Sequence, residues 1–578
     1  MAQDSATPHS ASRLDRDIDA AIARMTGPGG LLQLGHVARN GAMLPYVVSA
    51  PQTLPALFAT YCAHYGNRPF LVDGAERLTF AQAYALARRA AGGLVAGHGV
   101  KPGDRIGLAA RNGAGWVIAY MAIAMAGGIA TLLNGWWSGQ ELAEAIADTG
   151  CSLVLADGRR EAALHEAGIP SGATLVRIRQ TVPVAEGLAA LNALGGDETT
   201  ALPEMAPDDD ATILFTSGST GRSKGALSDQ RAVVQGALNF VSATLSVLDV
   251  MTQRGSPPTH LPATLVCVPL FHVTAEITIL LQSFVIGRKL VMMPKWDAEE
   301  AMRLIAAEQI TYFISVPLMS YEIATHPHRD RYDLSTLKDV ASGGAPRPPE
   351  QLRRIVDGLA GANPVIGYGL TETNAVGCGN FREAYLAKPD STGRATRPLT
   401  EVAIVDADGR SLPQGQRGEI AIRSIANIKG YWNRPQDTTA LFTADGFVRT
   451  GDIGYMDADG YVFIVDRLKD IIIRGGENIS GPEVEAALYA HPAVKECAVF
   501  GQPDARLGEV PVAVVYLREG MNITGEALRL FLGTHLAPFK IPARIWIAEA
   551  PLPCLGSLKI DKRALRDRYA EAAIPADS

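Results

Sequence analysis

Apolar residues along this chain recur in two rhythms that take turns. Residues 79–94 form an alanine-rich run at helical spacing, 105–110 a short apolar block, 139–149 helical spacing again, and 152–156 another short block. Such alternation predicts βα units layered around largely parallel sheets. Residues 116–133 break the rhythm, being almost wholly apolar and nearly long enough to span a bilayer. The Gly127-Gly128 pair and seven alanines and glycines between Ala119 and Ala130 predict instead a buried helix, a turn and a strand at 129–133.

The texture changes near residues 401–423. Short strands at 402–405 and 419–422 flank turn signals at Asp408-Gly409 and Gly415, which predicts a β-rich subdomain. Further on, the strand-like Tyr461-Val-Phe-Ile-Val465 runs into the charges of Asp466-Arg-Leu-Lys-Asp470. This is the best domain boundary, because a unit of about a hundred residues follows it, an ordinary domain size. The expected class is therefore α/β: a large N-terminal domain of layered α/β sheets with a β-rich subdomain at 13–465, a boundary at 466–470, and a small α+β domain at 471–578. Residues 1–12 are polar and read as a disordered tail without a secretory signal.

Composition narrows the function. The 578 residues exceed one ordinary core, and 47% hydrophobic with 20% charged residues is the balance of a soluble globular enzyme. A formal charge of −7 with scattered Lys and Arg gives no basic field for nucleic acid. Integral membrane association is not expected, while peripheral contact stays open. The six cysteines are widely spaced, without C-x-x-C or a His cluster, so neither zinc nor a disulfide framework is indicated and a cytoplasmic location fits. Ala/Gly-rich patches read as compositional bias, not as linkers.

The most informative stretch is Ile213-Leu-Phe-Thr-Ser-Gly-Ser-Thr-Gly-Arg-Ser-Lys-Gly225. A buried strand end leads into Thr216, Ser217, Ser219 and Thr220, interleaved with Gly218 and Gly221 and closed by Lys224. Glycines bring backbone close to a ligand, hydroxyls and N–H groups donate to a polyanion, and lysine adds a point charge. That is the chemistry of a triphosphate cradle. It is not a Walker A loop, since Ser223 stands where the second glycine belongs and Gly225 where Ser or Thr would bind magnesium.

Further motifs follow in order: Gly367-Tyr-Gly-Leu-Thr-Glu-Thr373, Arg449-Thr-Gly-Asp452, Asp466-Arg-Leu-Lys-Asp470 with Ile473-Arg-Gly-Gly-Glu-Asn-Ile479, and Lys559. With the cradle in front, the chain resembles the superfamily of adenylate-forming enzymes: acyl-CoA synthetases, peptide-synthetase adenylation domains and firefly luciferase. The resemblance spans residues 54–566. It implies a two-step reaction, in which a carboxylate attacks the α-phosphate of Mg-ATP and a thiol, usually that of coenzyme A, then displaces AMP.

By the same resemblance, Thr371, Glu372, Lys224 and Lys559 are catalytic, with Glu372 and Thr216 holding magnesium. Asp452 would accept from the ribose hydroxyls, Arg467 would be a second nucleotide contact, and Gly343, Gly344, Ala345 and Tyr368 would form the adenine wall. Lys469 would be the hinge residue whose rotation withdraws Lys559 and brings up Arg474, Gly475, Gly476 and Glu477 as a channel for coenzyme A. The lysine motif departs from the family: the usual preceding glycine is displaced to Gly556, leaving Ser557-Leu558-Lys559. Gln230-Arg231 likewise replaces a His-Arg pair.

For the acyl group, Pro269-Leu-Phe-His-Val-Thr-Ala275 resembles the motif that opens the pocket-lining helix. His272 stands where amino-acid-activating relatives commonly have Asp. With Phe240, Val273, Ile277, Gly369 and Val376 as candidate lining, a hydrophobic acid is expected, fatty or aryl/alicyclic. The expected function is an AMP-forming acyl-CoA synthetase using ATP, Mg2+ and coenzyme A, as a monomer or homodimer. An acyl-adenylate ligase serving a carrier protein and a catalytically weakened nucleotide- or acyl-binding relative are the alternatives.

Overall fold

The computed structural model describes residues 8–216, 223–344, 347, 349–359, 361–468, 470–474, 477–504, 506–555 and 559–569. Two sheets carry the large domain. A seven-stranded sheet runs in the order Gly430–Tyr431, Gly225–Asp229, Asp210–Phe215, Ile129–Leu132, Arg105–Ala109, Leu153–Ala156, Thr174–Arg177. A nine-stranded sheet has at its centre Asn363–Gly369, Asp339–Gly343, Tyr312–Ser315, Ala263–Val266 and Lys289–Met292, all parallel. Both sheets are parallel inside and antiparallel at an edge. Their strands are buried, apolar and short, as a sheet covered by helices on its faces requires.

The helices start where local chemistry starts them. Thr79 and Ser138 close capping boxes with Gln82 and Glu141 at the heads of Phe80–Ala96 and Gly139–Thr149. The apolar segment near residue 120 is the fully buried helix Ala114–Met125, followed by the Ile129–Leu132 strand. Small residues in the neighbouring helix have a packing reason that composition alone hides: a Cβ at Gly92 would stand 1.8 Å from the carbonyl oxygen of Asp197. Gln230–Gln253 is long and apolar enough to cross a membrane, but its apolar face is spent inside the core.

A four-stranded antiparallel sheet, Thr400–Val405, Gly418–Ser424, Val448–Met456 and Val462–Arg467, forms the expected β-rich subdomain. The small domain has its own sheet, led by Val494–Asp504 and Gly508–Leu517, and its own core around Val484, Leu488, Val515 and Leu528. It meets the large domain where Arg518 lies 5.3 Å over the Tyr321 ring. One expectation is corrected: the first helix spans Pro8–Thr26, so residues 8–12 are helical and not tail. Proline suits the first helical turn, where its missing N–H costs nothing, and Asp15 and Asp19 further along bind Arg394. Residues 1–7 lie outside the described residues.

The long helix that flanks the site is anchored by Asp229. Its carboxylate caps Ala232 N–H at 2.8 Å and pairs with Arg39 at 2.7 Å, both side chains being largely buried. Asp229→Ala should destabilise the protein by about 3 kcal/mol in urea unfolding, through a lost cap and a stranded guanidinium. Asp229→Asn, which keeps the cap, should cost less; equal losses would refute the ion-pair part.

Candidate active site

The cradle is the loop of a hairpin between Asp210–Phe215 and Gly225–Asp229. Its stem is closed by Thr216 N–H donating to the Lys224 carbonyl at 3.0 Å. Ser217, Gly218, Ser219, Thr220 and Gly221 lie outside the described residues. The Lys224 ammonium sits 2.7 Å from Asp437 and 5.0 Å over the Tyr431 ring. The Tyr431 hydroxyl in turn donates to Glu372 at 2.7 Å. Strand pairing explains the meeting, because Gly430–Tyr431 lies alongside Gly225–Asp229 at the sheet edge. Neither Tyr431 nor Asp437 stands out in the sequence, since each matters only through this pairing.

Thr371 and Glu372 occupy a single turn after the Asn363–Gly369 strand. Asn374 and Ala375 follow with φ of 48° and 64°, left-handed conformations that cost of order 1–3 kcal/mol each. Thr373 Oγ1 donates to the Val376 carbonyl at 2.6 Å, and Asn374 Nδ2 to the Ala426 carbonyl at 2.7 Å. Gly369 is obligatory here, because a Cβ would fall 2.1 Å from the Ala375 carbonyl oxygen. The turn is braced on every side and presents Glu372 to the cradle. A carboxylate with one oxygen engaged by Tyr431, together with the Thr216 hydroxyl, suits magnesium, which keeps several waters and phosphate oxygens.

Asp452, 4% exposed, accepts from Tyr368 Oη at 2.6 Å and Arg467 Nε at 3.0 Å. Register supplies the second contact, since Asp452 and Arg467 are cross-strand partners. Each carboxylate oxygen keeps a further lone pair. Into this cluster comes Lys559. The chain is pinched around it by the Leu555 N–H to Lys559 carbonyl bond at 2.7 Å and the Cys554–Ile560 bridge, with Gly556, Ser557 and Leu558 outside the described residues. Its side chain packs on Gly344, whose Cβ would be 3.4 Å from Lys559 Cε. Burial first, and Arg467 second, bring the Lys559 ammonium down to about 8, against the opposing pull of Asp452 and Glu372. Ala345 lies outside the described residues; Gly343 is the register partner of Gly367.

His272 faces the same charge. Burial and then Lys559 hold its imidazole down at about 3, so it is neutral. Its Nδ1 accepts from Thr274 N–H at 3.2 Å, which leaves the proton on Nε2. Val273, Ile277 and Val376 are buried. Ile277 abuts Gly236, and Glu276 turns to Tyr120, whose hydroxyl donates to it at 2.7 Å. Phe240, His272, Thr274 and Gly369 are partly accessible.

Asp466 accepts from Arg467 N–H and from Gly481 N–H at 3.1 Å, while Ser480 Oγ donates to the Val465 carbonyl. Burial pushes the Asp466 carboxyl up to about 6. Lys469, Gly475 and Gly476 lie outside the described residues. Arg474 and Glu477 pair with each other in the small-domain sheet. Among the described residues they form no hydrogen bond or ion pair with the Lys559 cluster.

A family model described as AMP-binding enzyme matches residues 58–432, and one described as AMP-binding enzyme C-terminal domain matches residues 483–559. A feruloyl-CoA synthase of Amycolatopsis sp is 35% identical over 497 residues, covering 86% of this chain and 95% of that protein. The long-chain-fatty-acid–CoA ligase FadD13 of Mycobacterium tuberculosis is 34% identical over 509 residues, covering 86% and 94%. The crystal structure of ATP-bound MatB from Rhodopseudomonas palustris superposes with a TM-score of 0.79 at 27% identity, covering 90% of this chain and 99% of that one.

Two outcomes follow from the geometry. Gly369→Ala should leave a folded protein whose adenylation rate falls by about a hundredfold, the scale of a misplaced reacting group; a rate within threefold of the parent would show that the turn adapts. Because the Lys559 cation is complete below its pKa of about 8 and lost above it, kcat/KM for pyrophosphate exchange should decline as pH rises through that value. The alkaline limb should be absent from the residual rate of Lys559→Ala.

Proposed function

Since the chain belongs to the AMP-binding enzyme family and is an AMP-forming acyl-CoA ligase within it, we propose that it activates a hydrophobic carboxylic acid, fatty or aryl, in the cluster around Lys559. ATP, coenzyme A and the acid are its small-molecule substrates. The observation that carries the reading is the meeting of Lys559 with Gly344, Asp452, Arg467 and Glu372.

Attack of a carboxylate on the α-phosphate brings two anions together, and the barrier falls when fixed positive charge and donors neutralise them. Lys559 is the cation at the reacting carboxyl and α-phosphate, and Thr371 donates to the same phosphate. Lys224 and the hydroxyls of residues 216–220 receive the departing pyrophosphate. Glu372 and Thr216 would hold magnesium, which supplies further neutralisation when bound. Asp452 keeps its spare lone pairs for the ribose, with Arg467 beside it; Tyr368, Gly343, Gly344 and Ala345 flank the adenine. His272, neutral, borders the acyl group without repelling Lys559.

The second half-reaction needs Lys559 out of the way. We assign the hinge to residues 466–470, between a large domain at 13–465 and a small one at 471–578. Rotation there would bring Arg474, Gly475, Gly476 and Glu477 to the channel for coenzyme A. Five of the six cysteines are buried free thiols, which suits the cytoplasm. A carrier-protein acceptor is not favoured, because the relatives are CoA ligases.

The test is incubation with Mg-ATP, coenzyme A and a panel of fatty, aryl and alicyclic acids, with products identified by mass spectrometry. Acyl-CoA, AMP and pyrophosphate are expected; acyl-adenylate without thioester would overturn the CoA assignment. Lys559→Ala should lose adenylation by about 3 kcal/mol, the value of one preorganised transition-state donor, and spare thioester formation from supplied acyl-adenylate. Equal damage to both halves would refute the rotation. Asp452→Ala should weaken ATP affinity, read as a raised KM for ATP.

A further inference from the structure

One side chain touches both charged groups at the phosphate end of the site. The Tyr431 hydroxyl donates to Glu372 Oε1 at 2.7 Å, and the Lys224 ammonium stands 5.0 Å over the Tyr431 ring. A ring face attracts a cation, while a phenol O–H donates to a carboxylate. Burial first, and the Glu372 charge next, push the Tyr431 phenol above its ordinary range, so it stays a protonated donor at neutral pH. Lys559 feels the charge of Glu372 as well, but among the described residues Tyr431 is the side chain that hydrogen-bonds the carboxylate.

The hydrogen bond joins two braced stretches of backbone. Tyr431 is the register partner of Ala226 at the sheet edge, and it packs against the cluster of Ala226, Ile428, Leu441 and Val448. Its N–H donates to Thr438 Oγ1 at 2.9 Å, and that hydroxyl donates to the Arg434 carbonyl at 2.9 Å. Gly430 permits the contact, because a Cβ there would fall 2.5 Å from Thr438 Cγ2. On the other side the Glu372 carbonyl accepts from Ile428 N–H at 3.1 Å. The segment 428–431 thus grips Glu372 twice, once by its backbone and once by its carboxylate.

Such a grip matters for a metal ligand. Magnesium demands compact, near-octahedral coordination and takes single carboxylate oxygens, whereas calcium accepts more oxygens at longer distances and often both from one carboxylate. A donor fixed on one oxygen withdraws its charge and sets the direction of the other. Outer-shell donors of this kind orient ligating carboxylates and tune what they bind.

We infer, on the reading of Glu372 as a magnesium ligand, that Tyr431 is the positioning residue of that carboxylate: its hydroxyl holds Oε1, leaves one oxygen for the ion, and so selects magnesium over calcium. The ring serves Lys224 separately, so a phenylalanine at this position keeps the lysine contact and removes only the selection.

The experiment reads metal binding directly. Full-length parent, Tyr431→Phe and Glu372→Gln are loaded with α,β-methylene-ATP and Mn2+, and bound Mn2+ is followed by electron paramagnetic resonance as Mg2+ or Ca2+ displaces it. Half-displacement from the parent should need less Mg2+ than Ca2+. Tyr431→Phe should weaken Mg2+ by about tenfold, the scale of a lost outer-shell partner, and change Ca2+ by less than about threefold. The magnesium dependence of pyrophosphate exchange should shift with it, while KM for ATP at saturating magnesium stays at the parent value. Unfolding temperature equal to the parent's separates this from misfolding. An unchanged ratio of Mg2+ to Ca2+ in Tyr431→Phe, or an equal loss of both ions, would overturn the selection. Glu372→Gln should weaken Mn2+ itself; unaltered Mn2+ binding there would overturn the ligand reading of Glu372, and the part of Tyr431 with it.

Discussion

The carboxylate of Asp452 accepts from Tyr368 on one side and Arg467 on the other, and so ties the nine-stranded sheet to the β-rich subdomain, which also share an apolar cluster of Cys378, Ile404, Ile420 and Val462. Tyr368 belongs to the nine-stranded sheet, Asp452 and Arg467 to the β-rich subdomain, and Lys559 arrives from the small domain into the field of all three. Arg467 also follows Asp466, whose carboxylate accepts from Gly481 N–H at the start of the small domain's first helix. The two sheets and the lysine of the small domain are therefore coupled through one buried anion. An apolar cluster joins the sheets as well, but the part of Lys559 depends on opposite charges being desolvated together.

The elements that local rules govern were legible from the sequence. The helix at residues 139–149 is legible to its last residue from helical spacing, and the structure supplies the local reason: Ser138 and Glu141 form a capping box and Gly150 ends it in the left-handed conformation. The buried segment near Trp116 was separable from a membrane span by its glycine pair. The first helix was missed because Pro8 at its start and a polar opening resemble a tail; its order comes from ion pairs with Arg394, nearly four hundred residues away.

At the site, single motif residues were readable and their partners were not. Lys224 carried its chemistry in the sequence, but Asp437 and Tyr431 acquire theirs only from a sheet edge formed after long excursions of the chain. The helix that follows His272 is less legible. Apolar Val273 and Ile277 are buried, and the helix widens over Glu276–Leu281, a local geometry that apolar spacing does not announce.

The pairing of Lys224 with Asp437 has a consequence for any anion that approaches the loop. The lysine is already held by a carboxylate that never leaves the molecule, so an incoming anion must first displace it. A tethered competitor raises the cost of every anion at that spot by the same amount, and so sets a threshold that only ligands with further contacts elsewhere can cross.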